Sequence, residues 1–280
     1  MQNLPKPGIS IRISVGLTAL AVFTWPPPAA QAQTNRPAPV LTALPVSHSV
    51  LTSLLRDYVR PGPDGINRVD FTQFKAAGRG RLRSYIDSLE RGTPSRMPSQ
   101  AQMAFWINLY NAKSLQLVLD RYPVASIRDI RLPDPAGKPA DGPWKANVTT
   151  IEGRALSLED IDTKILRPQF RDPRIHYALT CMALGCPNLL PEAYTPQRLD
   201  HQLDTAAAAF INHPRGVVVK GDRIEASNIY AWHEADFGGF KSVLAHLSHY
   251  ATPALRRHLA TVGRIDAYAF DWRLNDAARR

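Results

Sequence analysis

Between Ala104 and Ala112 the chain reads AFWINLYNA, a stretch that is apolar nearly all round. A helix that meets water on one side carries a polar stripe there. This one has only two amides, so the elements around it must cover every face. The surrounding segment, about 99–121, reads as one long helix with Ser99 as its N-cap and Tyr122-Pro123 as its stop. Asn108 and Asn111 lie three residues apart and share a face with Ala104, Ala112 and Leu115. A buried amide without partners costs on the order of 1–3 kcal/mol, so both must be bonded to something specific. They either tie the helix to loop or strand backbone, or they line a site and orient a reactive group.

Reactive side chains concentrate in one other stretch, residues 174–187, RIHYALTCMALGCP. Ile175, Tyr177, Leu179 and Cys181 alternate with His176, Ala178 and Thr180, which predicts a strand covered on both sides. Gly185 and Pro187 end it. Cys181 then stands where a buried strand opens into a loop, a common position for both catalytic and small core residues. On an ideal strand, five positions put His176 on the opposite face from Cys181. A base for a Cys181 thiolate would then need a twist in the strand, or His201 or His213 from elsewhere.

The start of the chain has Lys6 and Arg12, an apolar run from Ile13 to Phe23, and Ala30-Gln31-Ala32. That order predicts a secretory signal peptide cleaved after Ala32, hence a periplasmic or secreted protein. No later apolar run is long enough to span a bilayer. Removing Lys6 and Arg12 takes the formal charge from +10 to +8. The basic residues are spread without a block, which reads as a solvated surface rather than a nucleic-acid stripe and allows weak contact with anionic envelope surfaces. In an oxidising compartment the two cysteines, Cys181 and Cys186, are the pair open to a disulfide.

Residues 33–46 read as a flexible lead-in. After them, helical spacing recurs from Ser47 to Val59, over 79–90, from Ser157 to Pro168 and after Thr195-Pro196. Further helices are predicted near 228–236, 239–250 and 253–261. Hairpins are predicted across Glu152-Gly153 and Gly221-Asp222, and residues 268–275 as an extended ending. No repeat or linker interrupts 47–276, so the chain predicts a single α+β domain, helix-rich around a small sheet.

Several stretches together resemble the domain of unknown function 547 family. AFWINLYNA, the LSLEDI…ILRP run, RIHYALTC…GCP, EAYT, FIN…RGV, ADF and the YxFDWxLN ending stand in the family's order, over about residues 48–275. The resemblance implies one compact domain and carries over Asn108, Asn111, His176, Cys181, Cys186, Pro187 and Asp236. The chain departs from the pattern at Asp162-Thr163, where Glu-His is expected, and at Trp232-His233, where Trp-Tyr is expected.

Two functional readings follow. In one, Cys181 is the nucleophile of a thiol-dependent hydrolase or acyltransferase, with His176 as base and an asparagine orienting it or serving as an oxyanion donor. In the other, Asn108, Asn111, His176 and the Gly185-Cys186-Pro187 turn form an internal polar network, Asp236 fixes a helix end or loop, the cysteines are bridged, and the protein is a non-catalytic envelope binding or scaffold module. Cys-x4-Cys lacks zinc-site spacing, and no HExxH, CxxCH, P-loop, GxGxxG or GxSxG occurs, so no metal or cofactor is expected.

Overall fold

The computed structural model describes residues 46–138 and 140–278. The expected signal peptide and almost all of the lead-in lie outside them. The fold is α+β, with about half of it helical. Among the described residues no helix is long and apolar enough to cross a membrane.

The helix Ser99–Arg121 is its axis. Phe105, Ile107, Leu109, Leu115 and Leu119 along it are fully buried, which is what its all-round apolar sequence requires. It stops at Tyr122, ahead of Pro123, as expected. At its other end Pro98, not Ser99, holds the cap position and no side chain caps it. Helix Arg79–Glu90 packs on it, helix Ser49–Tyr58 packs on Arg79–Glu90, and the hairpin Thr149–Ile151/Arg154–Leu156 touches Arg79–Glu90 through its first strand. Glu152 and Gly153 both adopt positive φ at that hairpin's turn.

The strands form three small sheets. Val59–Pro61 pairs antiparallel with Asn67–Val69, and Thr149–Ile151 with Arg154–Leu156. The third sheet joins Val217–Lys220 to Arg223–Ser227, with Ala267–Ala269 added parallel. That sheet and the helices Leu199–Ile211, Phe240–Tyr250 and Pro253–Thr261 enclose a second apolar cluster, separate from the one around the central helix.

The stretch 174–187 corrects the expected strand. Ile175–Ala178 is a single helical turn, followed by extended backbone from Leu179. The reason lies just upstream. Asp172 accepts from the backbone N–H of Arg174 through its side chain and from that of Ile175 through its carbonyl, and the Pro173 carbonyl takes that of His176. An Asp-Pro pair is a turn-starting signal that outranks a short β-like alternation. Arg174 fixes the turn further by bonding Asp172, Asp200 and Asp204. The alternation has another origin: Ile175 and Ala178 enter the cluster around the central helix, while Tyr177 enters the other. One turn of helix thereby stitches two cores together.

Ser157 caps the following helical stretch as predicted, in a reciprocal box with Asp160. The helical course then widens over Ile161–Leu166 and runs past Pro168 to Phe170, two residues beyond the expected stop. Pro168 lies within this continuous course, just after the widened stretch Ile161–Leu166.

Candidate functional site

Asn111 donates from Nδ2 to the Ala178 carbonyl at 2.9 Å and accepts through Oδ1 from the Thr180 N–H at 2.9 Å. Asn108 does the same to Tyr194, donating to its carbonyl at 2.8 Å and accepting its N–H at 2.9 Å. Each amide thus acts as a strand partner for one residue's worth of backbone. Their role is to tie the helix to two loops, and Asn111 straightens the chain immediately before Cys181.

Cys181 and Cys186 are joined as a disulfide, with Cα atoms 5.9 Å apart. The loop between them turns through Met182 at φ 58° and then lies against the chain's later segment. Leu184 and Gly185 donate to the carbonyls of Arg273 and Asp271. Gly185 is required there, since a Cβ would meet the Asp271 backbone nitrogen at 2.7 Å.

The bridge borders a cavity of about 270 Å³. Cys181, Cys186 and His176 line one part of it, Glu159, Asp162 and Thr163 another. Trp144, Trp232, Phe270 and Trp272 form an aromatic wall, with Phe270 and Trp272 ring centroids 4.6 Å apart and Trp232 47% exposed. Because residues 175–178 form a turn and not a strand, His176 and Cys181 reach the same cavity. The expectation that they face opposite sides falls with the strand. Neither His201 nor His213 lines the cavity, and His213 Nε2 is bonded to the Asp64 carbonyl.

His176 is buried, with Nε2 2.8 Å from Asp236 Oδ2. Asp236 enters from the turn Glu234–Phe237, sixty residues later, and its Oδ2 also lies 2.5 Å from Arg167 Nε. The bond from His176, with Arg167 beside it, holds the Asp236 carboxyl far below the ordinary carboxylate range. His233 stacks on His176 at a centroid distance of 4.0 Å. Its buried Nδ1 has no hydrogen-bond partner among the described residues. Burial, reinforced by the Arg167 guanidinium and the neighbouring His176 imidazole, pushes His233 down to about 3. Asp162 moves in the opposite direction from Asp236. Its Oδ1 is buried without a hydrogen-bond partner among the described residues, and desolvation raises its carboxyl.

His176, His233 and Asp236 offer ligand atoms within 4.8 Å of one another. The carboxylate's charge, however, is already met by the Arg167 guanidinium on the same oxygen. That pairing leaves the cluster with less uncompensated negative charge to hold a cation.

Sequence reasoning reached His176, Cys181, Cys186, Asn108, Asn111 and Asp236, and the structure brings all but the two asparagines to the cavity or its charged border. It missed Asp162, His233, Arg167 and the aromatic wall. Asp162 and His233 each carried one signal, since both stand at departures from the family pattern. Arg167, Trp232 and Trp272 lie in or beside stretches the resemblance quotes but had no chemistry to single them out, and their meeting depends on contacts far apart in sequence.

A family model described as a protein of unknown function, DUF547, matches residues 94–211. No curated protein and no solved structure matches the chain. With the central helix, the Asn108 and Asn111 clamps and the cysteine loop all inside the matched span, the chain is a DUF547 domain-containing protein.

Proposed function

We propose that the cavity is the active site of a thiol-dependent hydrolase or acyltransferase in which Cys181 is the nucleophile and His176, oriented by Asp236, is its base. The observation that carries this reading is the pairing of His176 Nε2 with Asp236 on the border of the cavity that Cys181 also lines. With Nε2 engaged by the carboxylate, Nδ1 is the nitrogen available to take the thiol proton. The thiolate then attacks an acyl carbon, the leaving group departs with the proton returned by the imidazolium, and water or an acceptor alcohol resolves the thioester. Activity requires Cys181 to be free of Cys186, so it belongs to the reduced chain. Export and an envelope setting belong to this reading as proposals.

A second reading has one observation in its favour. Cys186 is 1% exposed and bridged, as in a structural disulfide of a non-catalytic module. The two separate in one experiment. The reduced full chain is incubated with activated acyl esters and with an electrophilic acyl probe, beside Cys181→Ser and His176→Ala. Acyl transfer that disappears in both variants supports the enzyme. A reduced chain in which Cys181 acylates no faster than a free thiol supports the module.

A further inference from the structure

The bridge has two unequal ends. Cys181 is partly exposed on the cavity, whereas Cys186 is buried. The Cys186 sulfur also accepts two backbone hydrogen bonds, from the N–H of Cys181 at 3.2 Å and from that of Ala183 at 3.4 Å. Two N–H groups converging on one atom form a small anion cradle. A neutral sulfur in a disulfide makes little use of it. A thiolate would use it fully, because charge-assisted hydrogen bonds are about twice as strong as neutral ones. Both donors belong to the tight loop that Met182 turns and that pairs with residues 271–275, so they are held ready in advance of any reaction.

We propose that the Cys181–Cys186 bridge is itself a site for thiol–disulfide exchange, attacked by a thiol at Cys181 and opened by departure of Cys186. Exchange runs fastest when the attacked sulfur is accessible and the leaving thiolate is stabilised, and here the two requirements fall on different cysteines. In the first step the incoming thiolate forms a bond to Cys181 Sγ. The 181–186 bond breaks, and its electron pair stays on Cys186 in the cradle. In the second step another thiolate attacks the incomer's sulfur and releases Cys181. Two thiols become one disulfide, and the bridge gains two electrons and two protons as two cysteine thiols. The substrate class is a small dithiol or a protein dithiol, which needs only one partner molecule for both steps. Cys186 is thereby assigned as the leaving thiol and, in the reverse direction, as the thiol that resolves the mixed disulfide. This inference stands whether or not Cys181 also transfers acyl groups.

The full chain, purified without reductant, is mixed with reduced glutathione, quenched in acid and alkylated. Peptide mass spectrometry then locates the adduct. The expected result is glutathione on Cys181 and the alkyl group on Cys186. In Cys181→Ala, thiolate absorbance against pH should show Cys186 titrating at least one unit below the ordinary value of about 8.5, some tenfold more thiolate at neutral pH. Glutathione on Cys186, titration of Cys186 at or above the ordinary value, or a bridge that opens only when the chain unfolds would each overturn the proposal. An exchange-active bridge without acyl transfer in the reduced chain would refute the proposed function alone.

Discussion

His176 and Asp236 are sixty residues apart and meet at 2.8 Å, linking the turn that follows Asp172-Pro173 to the turn that precedes Gly238-Gly239. The bond crosses the boundary between the matched family segment and the later part of the chain. It makes the imidazole's orientation depend on both. If the proposed chemistry holds, Asp236→Asn should lower acylation of the reduced chain by about 10- to 100-fold, the range typical of a group acting through its neighbour. His176→Ala should lower it further, by about 100-fold or more. Acylation rates of the two variants, measured side by side on the reduced chain, check that order.

Asn111→Ala should destabilise the fold by roughly 2–4 kcal/mol, since it orphans both the Ala178 carbonyl and the Thr180 N–H in a buried place. Asn111→Asp keeps the acceptor for Thr180 but sets a carboxylate oxygen against the Ala178 carbonyl, and should cost at least as much. Urea midpoints for the two variants check this. A cost below about 0.5 kcal/mol for Asn111→Ala, the level of an ordinary surface change, would remove the clamp from the account.

Acid should weaken the fold before its carboxylates protonate. Burial lowers His48 to about 4, His233 to about 3 and His246 to about 4. Each is neutral when folded and free to bind a proton near 6.5 when unfolded. Their contribution is therefore complete above about pH 6.5 and falls away as pH drops toward 4. The three histidines should together add up to three protons to the slope of unfolding free energy against pH in that window, from which the opposing titration of Asp162 subtracts. His246→Phe should reduce it by one.

Asp162 should titrate with the opposite sign. Its folded carboxyl is raised, so the folded chain keeps a proton that the unfolded chain gives up. Its contribution is present at low pH and is lost as pH rises above about 4. Asp162→Asn should accordingly gain on the order of 1 kcal/mol at neutral pH while weakening whatever reaction uses the carboxyl. Thermal melts at pH 4 and pH 7 test the sign.

Cys181→Ala/Cys186→Ala should cost about 2 kcal/mol by the chain-entropy model, because the closed loop is short. Denaturant unfolding of the double variant against the oxidised chain measures it.

What could be read in advance followed local chemistry. The central helix was legible because an all-round apolar segment admits one placement, and both hairpins because their turns carry Gly beside a polar residue. The turn at Ile175–Ala178 was misread because its apolar residues serve two cores and so imitate the two faces of a strand, while the Asp172-Pro173 start went unweighed. Cys181, Cys186 and His176 were found by residue type. Their convergence, and the arrival of Arg167, His233 and the tryptophans, rests on packing across long sequence separations that no local pattern encodes.

Phe270 and Trp272 close one side of the cavity, and residues 271–275 hold the cysteine loop by backbone bonds. During synthesis the Cys181 sulfur and the His176 imidazole therefore emerge some ninety residues before Phe270 and Trp272. A fragment cut at the matched family boundary would carry Cys181 and His176 but not Asp236, Trp232 or Trp272. Any search for a minimal working piece has to run through to the segment around Asn275.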